Sequence, residues 1–170
     1  MNCSYEMIQT PEDVWKAILD VCPVGKDEFF LEPFRGEGTL YNQINCEKDW
    51  AEITEGKDIF EYDLSNNSIS TIYTNPPFKC NIPSKGIKNC VYFFLEYFMK
   101  NCPSLERIGF LMNAKSFQSI TPKRLCTLNK LGFYIHKIVC LNIKKWYGLY
   151  YFVLFKKKEN DLVIGIQDYF

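Results

Sequence analysis

Apolar positions recur along this chain in two periods, and the changes between them mark out its elements. Val14, Ile18 and Val21, joined by Trp15, Leu19 and Cys22, follow the three- and four-residue spacing of one helical face. Thr10 as N-cap, Pro11 at the first helical position and Asp13 in an acidic first turn predict its start, and Pro23 and Gly25 its end. Phe29-Phe30-Leu31 is a short buried strand, Asp49-Trp50-Ala51-Glu52-Ile53 a strand ending in a carboxylate, and Ile69-Ser70-Thr71-Ile72-Tyr73 a third. Helical spacing returns over residues 87–100, where Val91, Phe94, Leu95 and Phe98 share a face. Ile108-Gly109-Phe110-Leu111-Met112 predicts a buried strand, and Thr121-Pro122-Lys123 a capped helix running to near Gly132. Residues 133–141 and 149–155 read as a closing pair of strands, with 160–170 a loose tail or an edge strand. Strands alternating with helices predict an α/β fold with a mostly parallel sheet and helices on both faces. The wide hairpin at the end makes the sheet mixed, with an antiparallel C-terminal pair.

Neither repeats nor a low-complexity linker interrupts the 170 residues, so a single domain over 1–170 is expected. No run of 18 apolar residues exists, and Glu6, Glu12 and Asp13 lie where a secretory signal would need an apolar stretch. A soluble, cytoplasmic protein without a membrane partner is the expectation. Eight cysteines form no C-x-x-C pair, and the single histidine, His136, sits in an apolar strand pattern. Scattered reduced thiols and no metal site follow from that inventory.

A net charge of zero hides a separation. Residues 1–78 carry 15 acidic and 5 basic side chains, a balance of −10, whereas residues 79–158 carry 15 basic and 2 acidic, a balance of +13. Such asymmetry points to a polyanionic partner, nucleic acid in the first place, for the basic half.

Four short stretches carry candidate chemistry. Asn75-Pro76-Pro77-Phe78 follows a buried strand, and two prolines without N–H groups cannot continue it. Asn75, before a proline, is held out of the helical region. A stiff turn therefore presents an amide and an aromatic ring at the carboxyl edge of the sheet, where open α/β sheets bind ligands. Upstream, Glu32-Pro33-Phe34-Arg35-Gly36-Glu37-Gly38 places a Gly-x-Gly loop between a strand and an expected helix, allowing close backbone approach to a ligand. The acidic strand end suits a cation rather than a phosphate, and no third glycine or Gly-Lys-Ser/Thr follows. Glu52, at the end of the second strand, stands where Rossmann-like folds hold a ribose diol. Asp58 beside Ile59 and Phe60 suits an adenine amino group flanked by apolar surface.

In this order, these residues resemble the class I S-adenosylmethionine-dependent methyltransferases, and the Asn-Pro-Pro-Phe form resembles DNA N6-adenine methyltransferases in particular. The resemblance spans Thr10 to about Phe155 and implies a Rossmann-like methyltransferase sheet with S-adenosyl-L-methionine as cofactor. It implies that Thr10, Glu32, Pro33, Phe34, Gly36 and Gly38 hold the methionine part. Glu52 then takes the ribose hydroxyls, Ile53 and Ile59 lie at the adenine, and Asp58 accepts from its exocyclic amine. Asn75 borders the cofactor and, with Pro76, Pro77 and Phe78, forms the catalytic turn, Phe78 stacking on the target base. Lys79, Lys144, Lys145 and Trp146 remain as candidates for contacting a polymer. DNA is the leading substrate, with RNA adenine, protein glutamine or a catalytically silent subunit as alternatives. Two departures stand out: the segment between Glu52 and Asp58 is too short for the helix these folds place there, and no target-recognition domain is present. Sequence specificity is therefore expected to be low or to be supplied by a partner subunit.

Overall fold

The structure is a computed structural model that describes residues 9–65, 68–78, 90–144 and 146–157. Its centre is a strand with no exposed residue, β3 (Thr71–Thr74), buried along its whole length. Such a strand must be covered on both faces, as in parallel α/β sheets. β1 (Phe29–Glu32) pairs with it in parallel on one side and β4 (Arg107–Asn113) on the other. β2 (Glu47–Trp50) adds to β1 in parallel, while β6 (Tyr150–Lys157) and β5 (Phe133–Leu141) add beyond β4 in antiparallel fashion. The order is β2-β1-β3-β4-β6-β5, a mixed sheet with a C-terminal antiparallel hairpin.

Alternation along the strands sends neighbouring residues to opposite faces. Phe30, Tyr73, Leu111 and Phe152 meet α1 (Glu12–Val21) through Trp15 and Ile18. Leu31, Ile72, Phe110 and Val153 meet α2 (Cys90–Asn101) through Phe94, Leu95 and Phe98. Leu128 of α4 (Pro122–Lys130) joins that second core. The helices thus lie on both faces, as the pattern predicts. None among the described residues is long and apolar enough to cross a membrane.

Four local expectations change. Thr10 does not cap α1: the helix starts one residue later, Pro11 occupies the N-cap position with ψ 148°, and no side chain caps it. The same dipeptide at Thr121-Pro122 does cap, the Thr121 hydroxyl accepting from the Arg124 N–H at 3.4 Å. Second, β2 is shifted toward the N-terminus, so that Glu52 lies two residues beyond its end, in a bridge with Lys57. Third, the Gly-x-Gly loop leads into a single 3₁₀ turn, Tyr41–Gln43, and not into a full helix. Finally, Cys90 is disulfide-bonded, against the expectation of reduced thiols throughout, whereas Cys22, Cys46, Cys102, Cys126 and Cys140 are free. A short helix that the pattern did not predict, α3 (Ala114–Gln118), follows β4 directly, with Asn113 capping it through the Ser116 N–H at 2.8 Å.

One glycine decides the packing of the sheet on α1. A Cβ on Gly109 would fall 2.1 Å from Cζ of Phe152. The Phe152 ring lies over that gap and meets Tyr73 and Trp15 edge-on, with centroids at 5.1 and 6.2 Å. Because the obstacle is a buried ring, Gly109→Ala is expected to cost about 1–3 kcal/mol or more. Urea unfolding monitored by circular dichroism reads this as a lowered midpoint.

Candidate active site

Parallel register puts the carboxyl ends of β1 and β3 at one edge of the sheet, and the two motifs that follow them open onto a single cavity there. One wall carries Thr10, Glu32, Pro33, Phe34 and Gly36. A second carries Glu52, Ile53, Asp58 and Ile59, and Asn75, Pro76, Pro77 and Phe78 close the third side. Of the remaining sequence candidates, Gly38, Lys144 and Trp146 do not line the cavity, and Lys79 and Lys145 lie outside the described residues. No group of three or more His, Cys, Asp or Glu placed to hold a metal occurs among the described residues.

The glycine loop is shaped by left-handed backbone: φ is +54° at Gly36 and +81° at Gly38. Gly38 turns the chain, its N–H donating to the Arg35 carbonyl and its carbonyl accepting from the Asn42 N–H, both at 2.9 Å. Gly36 meets the cavity, and a Cβ there would come within 2.6 Å of Nε2 of Gln9. Gln9 also accepts from the Glu37 N–H at 3.4 Å, so it braces the loop from outside the motif.

Glu32 is the unusual group on this wall. It is 3% exposed, and its Oε2 has no hydrogen-bond partner. Burial pushes its carboxyl well above the ordinary value of 4.5; the Tyr41 N–H and the Arg35 guanidinium oppose that, while Glu52 adds to it. The Thr10 hydroxyl, freed from capping, is also buried without a partner. Orphaned buried oxygens cost about 1–3 kcal/mol each, and in a cavity wall they are acceptors aimed at a ligand.

Glu52 behaves differently. Its Oε2 accepts from the Gly36 N–H at 2.8 Å, and its Oε1 from the Thr54 N–H at 3.1 Å and hydroxyl at 2.8 Å. One carboxylate therefore ties the glycine loop to the next turn. That turn is only Ile53–Glu55, closed by Gly56 at φ +77°, in place of a helix. With so little chain above it, the cavity stays open on this side, where Ile53 is 49% and Phe60 43% exposed. Phe60 stacks on Phe94 at 5.8 Å, and Phe34 meets Phe94 edge-on at 4.6 Å. Phe94 and Gln9 escaped sequence reasoning because they come from distant chain segments. Phe94 was legible only as a core position of its helix.

No protein-family model matches this chain, and no curated protein is similar to it in sequence. Solved structures are similar in backbone. A modification subunit assigned to a type I restriction enzyme from Vibrio vulnificus YJ016 aligns at TM-score 0.62 and 16% identity over 88% of this chain and 44% of that one. A Listeria monocytogenes protein assigned as a class I S-adenosylmethionine-dependent methyltransferase aligns at 0.63 and 14% over 96% of this chain and 64% of that one. The fold is the Rossmann-like methyltransferase fold. The 23S rRNA methyltransferase ErmE shares it at TM-score 0.64 and 13% identity, over 92% of this chain and 72% of that one. This methyltransferase-fold chain thus spans less than two thirds of the Vibrio and Listeria proteins.

Stability of the ligand-free fold should carry the mark of Glu32. A carboxyl whose folded value is raised binds its proton more tightly when folded, so stability falls as pH rises above about 4.5 toward that raised value. Glu32→Gln removes the slope. Urea midpoints at pH 5 and pH 8 are expected to differ less in the variant, which gains about 1 kcal/mol at pH 8.

Proposed function

We propose that this chain is an S-adenosyl-L-methionine-dependent N-methyltransferase acting on adenine N6 in DNA, as a single soluble cytoplasmic domain. The observation that carries the reading is the shared cavity: Asn75 and Phe78 at the end of β3 face the same space as the orphaned Glu32 carboxylate and the Gly36 backbone. When bound, the cofactor supplies a methyl group on a cationic sulfur. Glu32 and Thr10 fit its methionine part, since a cation and a donor are what their unpaired oxygens lack. Gly36 admits it without a side chain in the way. Glu52 holds the ribose hydroxyls, Ile53 and Ile59 flank the adenine, and Asp58 accepts from its amino group.

The target nitrogen is conjugated to its ring and is a poor nucleophile. The Asn75 side-chain carbonyl and the Pro76 backbone carbonyl would accept from its two N–H bonds and favour a tetrahedral nitrogen, and the proton that the nitrogen loses on methylation would pass to solvent. Pro77 fixes the turn and Phe78 stacks on the base, flipped out where it lies in a duplex. Rate acceleration then comes from positioning and preorganised acceptors. RNA is the second reading, favoured by the backbone likeness to ErmE. A partner subunit for target recognition agrees with the likeness to a modification subunit that is about twice as long.

Titration calorimetry with S-adenosyl-L-methionine tests the reading. Binding is expected in the wild type and in Asn75→Ala, and is expected to be lost in Gly36→Val, where a β-branched residue meets φ +54°. Transfer of labelled methyl to DNA should fall by about 10²–10³ in Asn75→Ala; unchanged transfer would remove Asn75 from the mechanism. Failure of the wild-type chain to bind the cofactor would favour a silent subunit.

A cationic ligand favours ionised Glu32, so binding should release a proton and tighten as pH rises through the raised carboxyl value. Titrations in two buffers of different ionisation enthalpy read that release directly. Glu32→Gln is expected to abolish it and to weaken binding about 10- to 100-fold.

A further inference from the structure

The hairpin that ends the sheet stands higher than the strand that carries Asn75. Thr74, the last residue of β3, pairs with Phe110, yet β4 continues to Asn113, which pairs with Tyr150. Three further residues at about 3.3 Å each raise a wall about 10 Å above the end of β3. The loop over residues 142–149 crowns that wall. Only β4 separates β3 from β6, so the wall lies about 10 Å to the side of the catalytic turn, two strand spacings away.

This loop is pinned at its base and bare at its tip. Ile143 is buried, the Trp146 N–H donates to the Ile143 carbonyl at 2.9 Å, and the Trp146 ring packs against Tyr150 at 4.7 Å. Gly148, at φ +97°, then reverses the chain. Between them Tyr147 is fully exposed, at 102%, and Leu149 is 56% exposed. Trp146 is thus the anchor and Tyr147 the presented ring. Lys144 in the same loop is exposed, and so is Lys115 at the head of α3, whose neighbour Ala114 donates its N–H to the Leu149 carbonyl at 3.0 Å.

We infer that Tyr147 is a stacking platform for an unpaired base of a single-stranded polynucleotide, which Lys144 and Lys115 hold by its phosphates. The inference rests on the methyltransferase reading for its place beside the target. An aromatic face flanked by cations is the chemistry with which proteins hold single strands, because every base offers a π-face and every nucleotide a phosphate. The two offsets, one along the strands and one across them, combine to about 14 Å, about four stacked nucleotides at about 3.4 Å each, so Tyr147 would hold a neighbour of the target base and not the target itself. DNA and RNA strands share this chemistry.

Fluorescence anisotropy of 12-nucleotide labelled DNA and RNA single strands on the full chain tests it, with cofactor titration run in parallel. Tyr147→Ala should weaken strand binding about five- to 100-fold, and Tyr147→Trp should restore it. Lys144→Gln should lower the slope of log affinity against log salt by about one. Preference for the DNA or the RNA strand would identify the source, either one in support. Wild-type affinity in Tyr147→Ala, or no strand binding by the wild type, would overturn the inference. If cofactor binding persists in that case, the methyltransferase reading survives. Conversely, Tyr147-dependent strand binding without cofactor binding would sink that reading and leave this surface standing.

Discussion

Burial of β3 on both faces is the constraint on which the rest depends. A strand without an exposed residue can be satisfied only by neighbours on each side and helices above and below. Once β1 and β4 pair with it in parallel, the carboxyl ends of β1 and β3 must emerge at the same edge, because their register is shared. The cavity is a consequence: two adjacent strands end at one edge, and the loops that follow them line the space between.

The same burial creates the electrostatic character of the site. Glu32 sits where β1 has just left the core, deep enough that its carboxyl is held toward the neutral form and one oxygen has no partner. A ligand-free protein carries this as a cost, and a cationic ligand converts it into affinity. Glu52, twenty residues on, is also buried, yet the Gly36 N–H and Thr54 engage both its oxygens. The two carboxylates differ in what reaches them: Thr54, two residues along the chain, and the Gly36 N–H from the glycine loop engage Glu52, whereas Oε2 of Glu32 is left without a partner. On the other side of β3, β4 runs three residues past the partner of Thr74 and stays paired with the final hairpin.

Much of this was legible in the chain. Apolar spacing located nearly every strand and helix, since the 3.6- and two-residue periods are imposed by the backbone itself. The end of β3 before Asn75 was legible because the prolines that follow lack the N–H that would continue a strand. Helix starts were less secure. The identical Thr-Pro pairs at 10 and 121 had different outcomes because Thr10 lies against a cavity, whereas Thr121 faces solvent near its helix. The missing helix after Gly38 and the shift of β2 were hidden for a related reason: local propensity sets no length, and the short crossover between β1 and β2 left room for one turn only.

The alternation of elements, the end of β3 before Asn75, the glycine loop and the separation of charge all follow from local backbone chemistry and composition. Which oxygens are orphaned, and that Gly109 yields its space to Phe152, came instead from the packing of the folded chain. Those outcomes depend on contacts between segments far apart in the chain, and no local pattern encodes which side chain reaches an occupied space first.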